Sequence, residues 1–431
     1  MSQIRNLVFQ NGERYPILME DSSTPNYWVT LYVTEKLRPS LTQSAISNTI
    51  AHLVHLKLWE QINNRDLINE FTRSQFLAYE DIYSIRDHCL MDSRSLKKWL
   101  STSDKNIVKF VSASTFSVAP IQTVSKGHAS NRLTHIASFL DFTVRVLLKT
   151  KLIDDTTSNA IEKMNKMLLA NKPKGPKSSG LAGDPNSKAP PPKAFEHILK
   201  IVKETSPDNP FKGTEVRFRN AVIFDVMDST GMRAGEILAL QVGDIDFQNP
   251  AISVVRRHDA IEDPRNIQPV AKTSERRIPV NKTITDRLRD YIMGARSKID
   301  AARRHPYVFV THKRGEYFGR PISNSTFINR ILKPAIAVSP ELLEEIVRHG
   351  FRHFFNYKLS KRIDAINKAA ITNPTIKPIN EKMEAQLRKE LNGWTSDKTA
   401  QTYNLRHIRE EADRVMREDL AYWSKFTKKE V

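Results

Sequence analysis

The sequence predicts a mainly α-helical chain with one small antiparallel β-sheet in its C-terminal part. Three observations lead there. Residues 27–171 repeat apolar side chains at three- and four-residue intervals, the period of amphipathic helices. A stretch rich in proline, glycine and lysine follows, and nothing in it can build a core. Beyond it, short runs rich in valine and isoleucine stand among further helical patterns, as in an α+β domain.

In chain order, residues 1–26 read as a strand pair or arm. LVFQ and RYPILM flank Asn11-Gly12, a hairpin turn signal. Helices are expected in AISNTIAHLVHLKLWEQI, SQFLAYEDIYSIRDHCL, RLTHIASFLDFTVRVLLK and TTSNAIEKMNKMLLA, the last opening on Thr and Ser as candidate N-caps. Residues 172–193, KPKGPKSSGLAGDPNSKAPPPK, hold six prolines, three glycines and five lysines and read as a basic linker. Such a linker is either a solvated tether or a strap along phosphates. Residues 194–431 form the second domain. RFRNAVIFDVMDST is a buried helix that stops before Gly231, and residues 234–240 resume as a second helix. AISVVRRH and RRIPV are strands, with AKTSE as a turn between strands. The remainder is helical, including EKMEAQLRKELN and a tail from about Leu405 to Phe426.

Composition narrows the function class. At 431 residues the chain needs at least two domains. A net charge of +19 favours a polyanionic partner, nucleic acid foremost. The single cysteine, Cys89, rules out an intramolecular disulfide and a cysteine-rich zinc site. It reads as a packed thiol in a cytoplasmic protein. No apolar run reaches the length of a bilayer span, and the first residues lack a signal-peptide pattern.

Four words carry the chemistry. TGMRAGEILAL places Arg233 after a Thr230-Gly231 turn, with Glu236 one helical turn further on. AKTSERRIPV offers Lys272, followed by Arg276 and Arg277. HGFRH offers His349, Arg352 and His353. NGWTSDKTAQTY sets Trp394 nine residues before Tyr403. Planar guanidinium groups that stay protonated suit charge developing on phosphate oxygens. A lysine ammonium on a flexible stem suits proton delivery, and an imidazole suits proton acceptance.

These words, in this order, resemble the tyrosine recombinase (phage integrase) family. TGMRAGEILAL follows its TGxRxxExLxL pattern, and HGFRH follows HxxRH. The resemblance covers about residues 195–410. It implies that Arg233 and Arg352 clamp the scissile phosphate. Lys272 would protonate the leaving 5′-oxygen, and His349 would take the tyrosine proton or bond the phosphate. Tyr403 would be the nucleophile, leaving a 3′-phosphotyrosine that conserves bond energy, so no cofactor or metal is needed. Glu236 and His353 would support the site. The family most often has histidine where Trp394 stands; an indole N–H can donate to phosphate or its ring can buttress the site, but it cannot exchange a proton. Arg352 and Trp394 are 42 residues apart, more than the family usually allows, so an insertion with its own helix lies between them.

The resemblance further implies a helical, core-binding-like domain at 27–171 that clamps duplex DNA together with the second domain. Lys126, Arg132, Arg276 and Arg277 are the expected DNA contacts. The implied activity is that of a site-specific recombinase integrating or excising a mobile element. It would work as a homotetramer on paired double-stranded sites, with accessory DNA-bending or directionality proteins and no membrane. A type IB topoisomerase or a hairpin telomere resolvase would use a similar pocket. A DNA-binding protein without catalysis is the alternative from another class.

Overall fold

The computed structural model describes residues 3–106, 121–149, 155–175, 190–396 and 412–419. The chain divides into two compact units, Met1–Phe9 with Arg14–Ser179 and Gln10–Glu13 with Gly180–Val431.

In the first unit β1 (Gln3–Val8) and β2 (Arg14–Met19) pair antiparallel, with Val8 opposite Arg14. The link is residues 9–13, longer than a two-residue Asn-Gly turn. Tyr15, Ile17 and Leu18 of β2 are buried in the helical core, so the pair is a wall of this unit and not an arm. Helices α1 (Tyr27–Tyr32), α2 (Gln43–Asn63), α3 (Leu67–Thr72), α4 (Tyr79–Cys89), α5 (Ser93–Asn106), α6 (Lys126–Leu148) and α7 (Asp155–Ala170) complete it. On α6, Leu133, Ile136, Ala137, Leu140, Val144 and Leu148 are all buried, the stripe its spacing predicts. Ser125 caps α6 by accepting from the His128 amide at 3.2 Å. The expected Thr and Ser caps of α7 fall inside the helix, which already starts at Asp155. An acidic residue in the first turn suits the positive end of the helix dipole. Cys89 is buried, and burial pushes its thiol up to about 12, so it stays protonated and packs as a small apolar group.

The second unit opens with α8 (Pro192–Ile201), two residues inside the segment expected to be linker. Pro192 is its first residue, where a missing N–H costs nothing. Phe195 then stacks on Phe354 at 4.6 Å and meets Phe351 edge-on at 5.2 Å. Next come α9 (Thr214–Thr230), α10 (Ala234–Leu238) and the sheet β3 (Ile245–Asp246), β4 (Ala251–Val254) and β5 (Arg276–Pro279), antiparallel in the order β3-β4-β5. Val254 pairs with Arg276, so residues 255–275 form one long connection and AKTSE is its final stretch, not a tight turn. Arg265 pins that connection: it pairs with Asp263 at 2.7 Å and donates to the carbonyls of Leu238 and Ile322. Helices α11 (Lys282–Tyr291), α12 (Asp300–Arg303), α13 (Asn324–Thr326), α14 (Lys333–Ile336), α15 (Pro340–Leu343), α16 (Gly350–Thr372) and α17 (Glu381–Asn392) follow. Among the described residues no helix is long and apolar enough to cross a membrane.

Two glycines shape this unit where the motifs lie. Gly231 ends α9 in the left-handed region (φ 61°), and a Cβ there would fall 2.7 Å from the Phe355 ring. Gly393 ends α17 in the same way (φ 64°), and its Cβ would lie 2.8 Å from the Ser274 carbonyl. Any other residue at either position combines backbone strain of about 1–2 kcal/mol with a clash.

Candidate active site

Glu236 is the centre of the site, and it is 3 % exposed. It lies in the first turn of α10 because the chain turns sharply at Gly231 and restarts a helix at Arg233. One carboxylate oxygen accepts the Arg233 backbone amide at 3.1 Å, closing the helix start from inside. The other accepts from Arg233 Nη1 at 3.3 Å and from Thr273 Oγ1 at 2.7 Å. Arg276 Nη2 donates at 2.8 Å, and Arg352 Nη1 lies 3.9 Å away. Burial alone would raise the carboxyl pKa. Arg276, by charge and hydrogen bond, together with Arg352 and Thr273, outweighs it and holds the group below the usual carboxylate range. Glu236 is therefore a buried anion that organises arginines, not a solvated helix carboxylate.

One carboxylate facing three guanidiniums leaves a surplus of positive charge. Arg276 and Arg352 are closed in, while the Arg233 side chain stays 22 % exposed at the rim. Arg352, in the first turn of α16, donates to the Gly231 carbonyl at 3.2 Å and to the Asn392 carbonyl, and it faces the Trp394 ring at 5.1 Å. Trp394 is itself buried. Lys272 and His349 are exposed. Partial desolvation lowers the His349 pKa, and the positive charges of Arg348, Arg233, Arg352 and Lys272 lower it further. The imidazole is thus neutral at pH 7 and able to take a proton. His353 is half-buried on the next turn, its amide donating to the His349 carbonyl.

The structure brings Arg233, Glu236, Lys272, His349, Arg352 and Trp394 to one place. Tyr403 lies outside the described residues, as does most of the tail; residues 412–419 are helical. Two expected DNA contacts are corrected. Arg276 is sealed among Glu236, Thr273 and the Leu391 carbonyl, and its side chain is 1 % exposed. Arg132 is buried in the first unit, with its guanidinium on the carbonyls of Cys89 and Met91 and the Ser93 hydroxyl. Neighbouring side chains of a strand point to opposite faces and a helix turns one stripe inward, so residue type alone does not say which basic side chains lie outside. Arg277, one residue on, is exposed and pairs with Asp246 at 2.9 Å; Lys126 is exposed.

Sequence reasoning missed Asn356, Ser360, Arg388 and Asn392, which are buried between α16 and α17 beside Arg352. Their signal was present. Asn356 and Ser360 follow Arg352 at four-residue steps, and Asn392 follows Arg388 at the same step.

Arginines braced on one buried carboxylate, with a neutral imidazole and a lysine at the rim, make a positively charged site beside a group able to accept a proton. Residues 192–368 match the phage integrase family. The match includes Arg233, Lys272, His349 and Arg352 and ends before α17. Members of the family cleave and rejoin DNA. The chain is similar to the tyrosine recombinase XerD of Halalkalibacterium halodurans, 25 % identical over 166 residues, covering 38 % of this chain and 47 % of that protein. It is also similar to transposase A of transposon Tn554 from Staphylococcus aureus, 27 % identical over 131 residues, covering 30 % and 34 %. The chain thus spans about half the length of the XerD relatives it matches and a third of the transposase. Among solved structures, an integrase of the Tn1549 transposon in complex with transposon right-end DNA is 14 % identical, covering 90 % of this chain and 98 % of that one, with a TM-score of 0.47.

Proposed function

We propose that this chain is a site-specific DNA recombinase that cuts and rejoins duplex DNA through a 3′-phosphotyrosyl intermediate, integrating or excising a mobile element. The Tyr403 phenolic oxygen attacks the scissile phosphorus as its proton passes to His349. The bond from phosphorus to the 5′-oxygen breaks, and that oxygen takes a proton from Lys272. Arg233 and Arg352 offset the charge that grows on the non-bridging oxygens. Religation is the reverse, with a 5′-hydroxyl attacking the phosphotyrosine, so no nucleotide is consumed. Two sites would be held by four protomers, with accessory DNA-bending or directionality proteins where the element needs them. Lys126 and Arg277 remain the candidate backbone contacts.

The observation that carries this reading is the Glu236 centre, where Arg233 and Arg352 meet beside a neutral His349 and an exposed Lys272. The test is covalent trapping on a nicked duplex of the native target, found by sequencing DNA attached to the protein in cells. The parent chain should form a protein–DNA adduct through Tyr403, and Tyr403→Phe should bind but form none. An adduct on another tyrosine overturns the assignment. Relaxation of plasmid lacking the target would favour a type IB topoisomerase.

A further inference from the structure

The seam between α16 and α17 is polar where an apolar one would cost less. Arg352, Asn356 and Ser360 on α16 and Arg388 and Asn392 on α17 are each at most 1 % exposed. Buried polar groups are costly unless every one finds a bond, so a seam like this holds one geometry or fails. Its bonds form one connected network. At the far end Arg388 donates to the Ser360 hydroxyl at 2.6 Å and to Glu384 at 2.7 Å. The same fork reaches the Asn356 backbone carbonyl at 3.2 Å and its side-chain oxygen at 3.1 Å. Asn356 and Asn392 exchange two amide bonds of 3.0 Å, and the Asn356 amide also donates to the Arg352 carbonyl at 2.8 Å.

The near end of the seam is the candidate active site. The Asn392 carbonyl accepts from Arg352 Nη2. Leu391 offers its carbonyl to Arg276, the partner of Glu236. Gly393 accepts the Ser274 amide at 3.1 Å, two residues from Lys272, and Trp394 lays its ring against Arg352. The last turn of α17 and the two residues after it therefore touch three parts of the site at once. This helix lies beyond the family match and inside the long spacing between Arg352 and Trp394.

We propose that Arg388 is a positioning residue for strand transfer, setting the last turn of α17 and through it the Arg352 fork and the Trp394 ring. The proposal rests on the strand-transfer reading above. A guanidinium displaced by about 1 Å can cost about a hundredfold in rate. Arg388→Ala should therefore lower the cleavage rate by between about tenfold and a hundredfold, with target affinity changed less than about threefold. Arg388→Lys, which keeps the charge without the fork, should recover part of the loss. Ser360→Ala removes one bond of the seam with little change in volume and should give a smaller loss, so the test stands even if Arg388→Ala does not fold.

A second substrate separates positioning from general damage. Replacing a non-bridging oxygen of the scissile phosphate by methyl removes the charge that Arg352 offsets. On that neutral duplex the rates of variant and parent should converge. The same variant-to-parent ratio on both substrates, or Arg388→Lys and Ser360→Ala both cleaving at the parent rate, overturns the positioning role alone. A parent chain that forms no covalent adduct on either substrate overturns the strand-transfer reading and the positioning role with it.

Discussion

Each unit buries a cluster of basic side chains, and the two clusters are resolved in opposite ways. In the helical unit Arg132 is surrounded by neutral acceptors, the carbonyls of Cys89 and Met91 and the Ser93 hydroxyl. His52, His55 and His88 crowd round it and are held neutral. Burial and then the nearby cations and rings press them to about 4, 3 and 4. In the second unit the arginines gather on the carboxylate of Glu236, and the positive charge runs out to the rim at Arg233 and Lys272, beside the neutral His349. A buried arginine closed by carbonyls is architecture. One that shares a carboxylate with two others, with an open side, is equipped to meet an anion. The difference lies in what surrounds the guanidinium, which a local sequence word does not report.

The sharpest way to break this contrast is to remove an arginine from each cluster. On the proposed function, in which the pair acts on transition-state charge, Arg233→Ala or Arg352→Ala should lower DNA cleavage by about a hundred- to a thousandfold while affinity changes far less. Equal losses in both would make them ordinary backbone contacts. Arg132→Met should instead destabilise folding by about 3 kcal/mol, since two buried carbonyls lose their donor. Thermal melting of the full chain reads that, and an unchanged melt would return Arg132 to the surface.

Acid should separate the units next. The histidines around Arg132 have folded pKa values below their unfolded value of 6.5. Below pH 6.5 the unfolded chain binds protons that the folded rings refuse, so stability falls with pH and levels off near pH 3 to 4. Each ring contributes up to about 1.4 kcal/mol per pH unit. Denaturant titrations at pH 7 and 5 should show the loss, and His55→Gln should reduce it.

In the other cluster the expected effect is milder. With the His349 pKa lowered, kcat/KM should hold as pH drops through 6.5 and decline only at lower pH. A decline centred at or above 6.5 would mean that another group sets the profile. The smallest effect belongs to Arg277. Its pair with Asp246 is exposed and screened by solvent, so Arg277→Ala should barely move the melt. If Arg277 touches phosphate, the same variant should flatten the salt dependence of DNA binding by up to about one unit of slope; an unchanged slope removes it from the interface.

The sequence by itself determined the helices with a clear apolar stripe, such as α6, and the breaks that need glycine at Gly231. It also singled out Arg233, Glu236, His349 and Arg352, which the fold brings together, because TGMRAGEILAL and HGFRH fix local geometry within one or two helical turns. It misjudged the start of α8, since a proline at a first helical position reads like linker until Phe195 is seen packed on Phe354. It could not tell Arg276 from Arg277, because the pleat of β5 sends neighbours to opposite faces and only the position of Glu236 says which face is inside. The polar seam of α16 and α17 was equally hidden. A four-residue spacing of Asn356, Ser360, Arg388 and Asn392 looks like a solvated face until two helices close on it. Periodicity is a property of one element and can be read along the chain. Burial, charge pairing and the sign of a pKa shift depend on what comes from elsewhere in the sequence, and those only the tertiary structure decided.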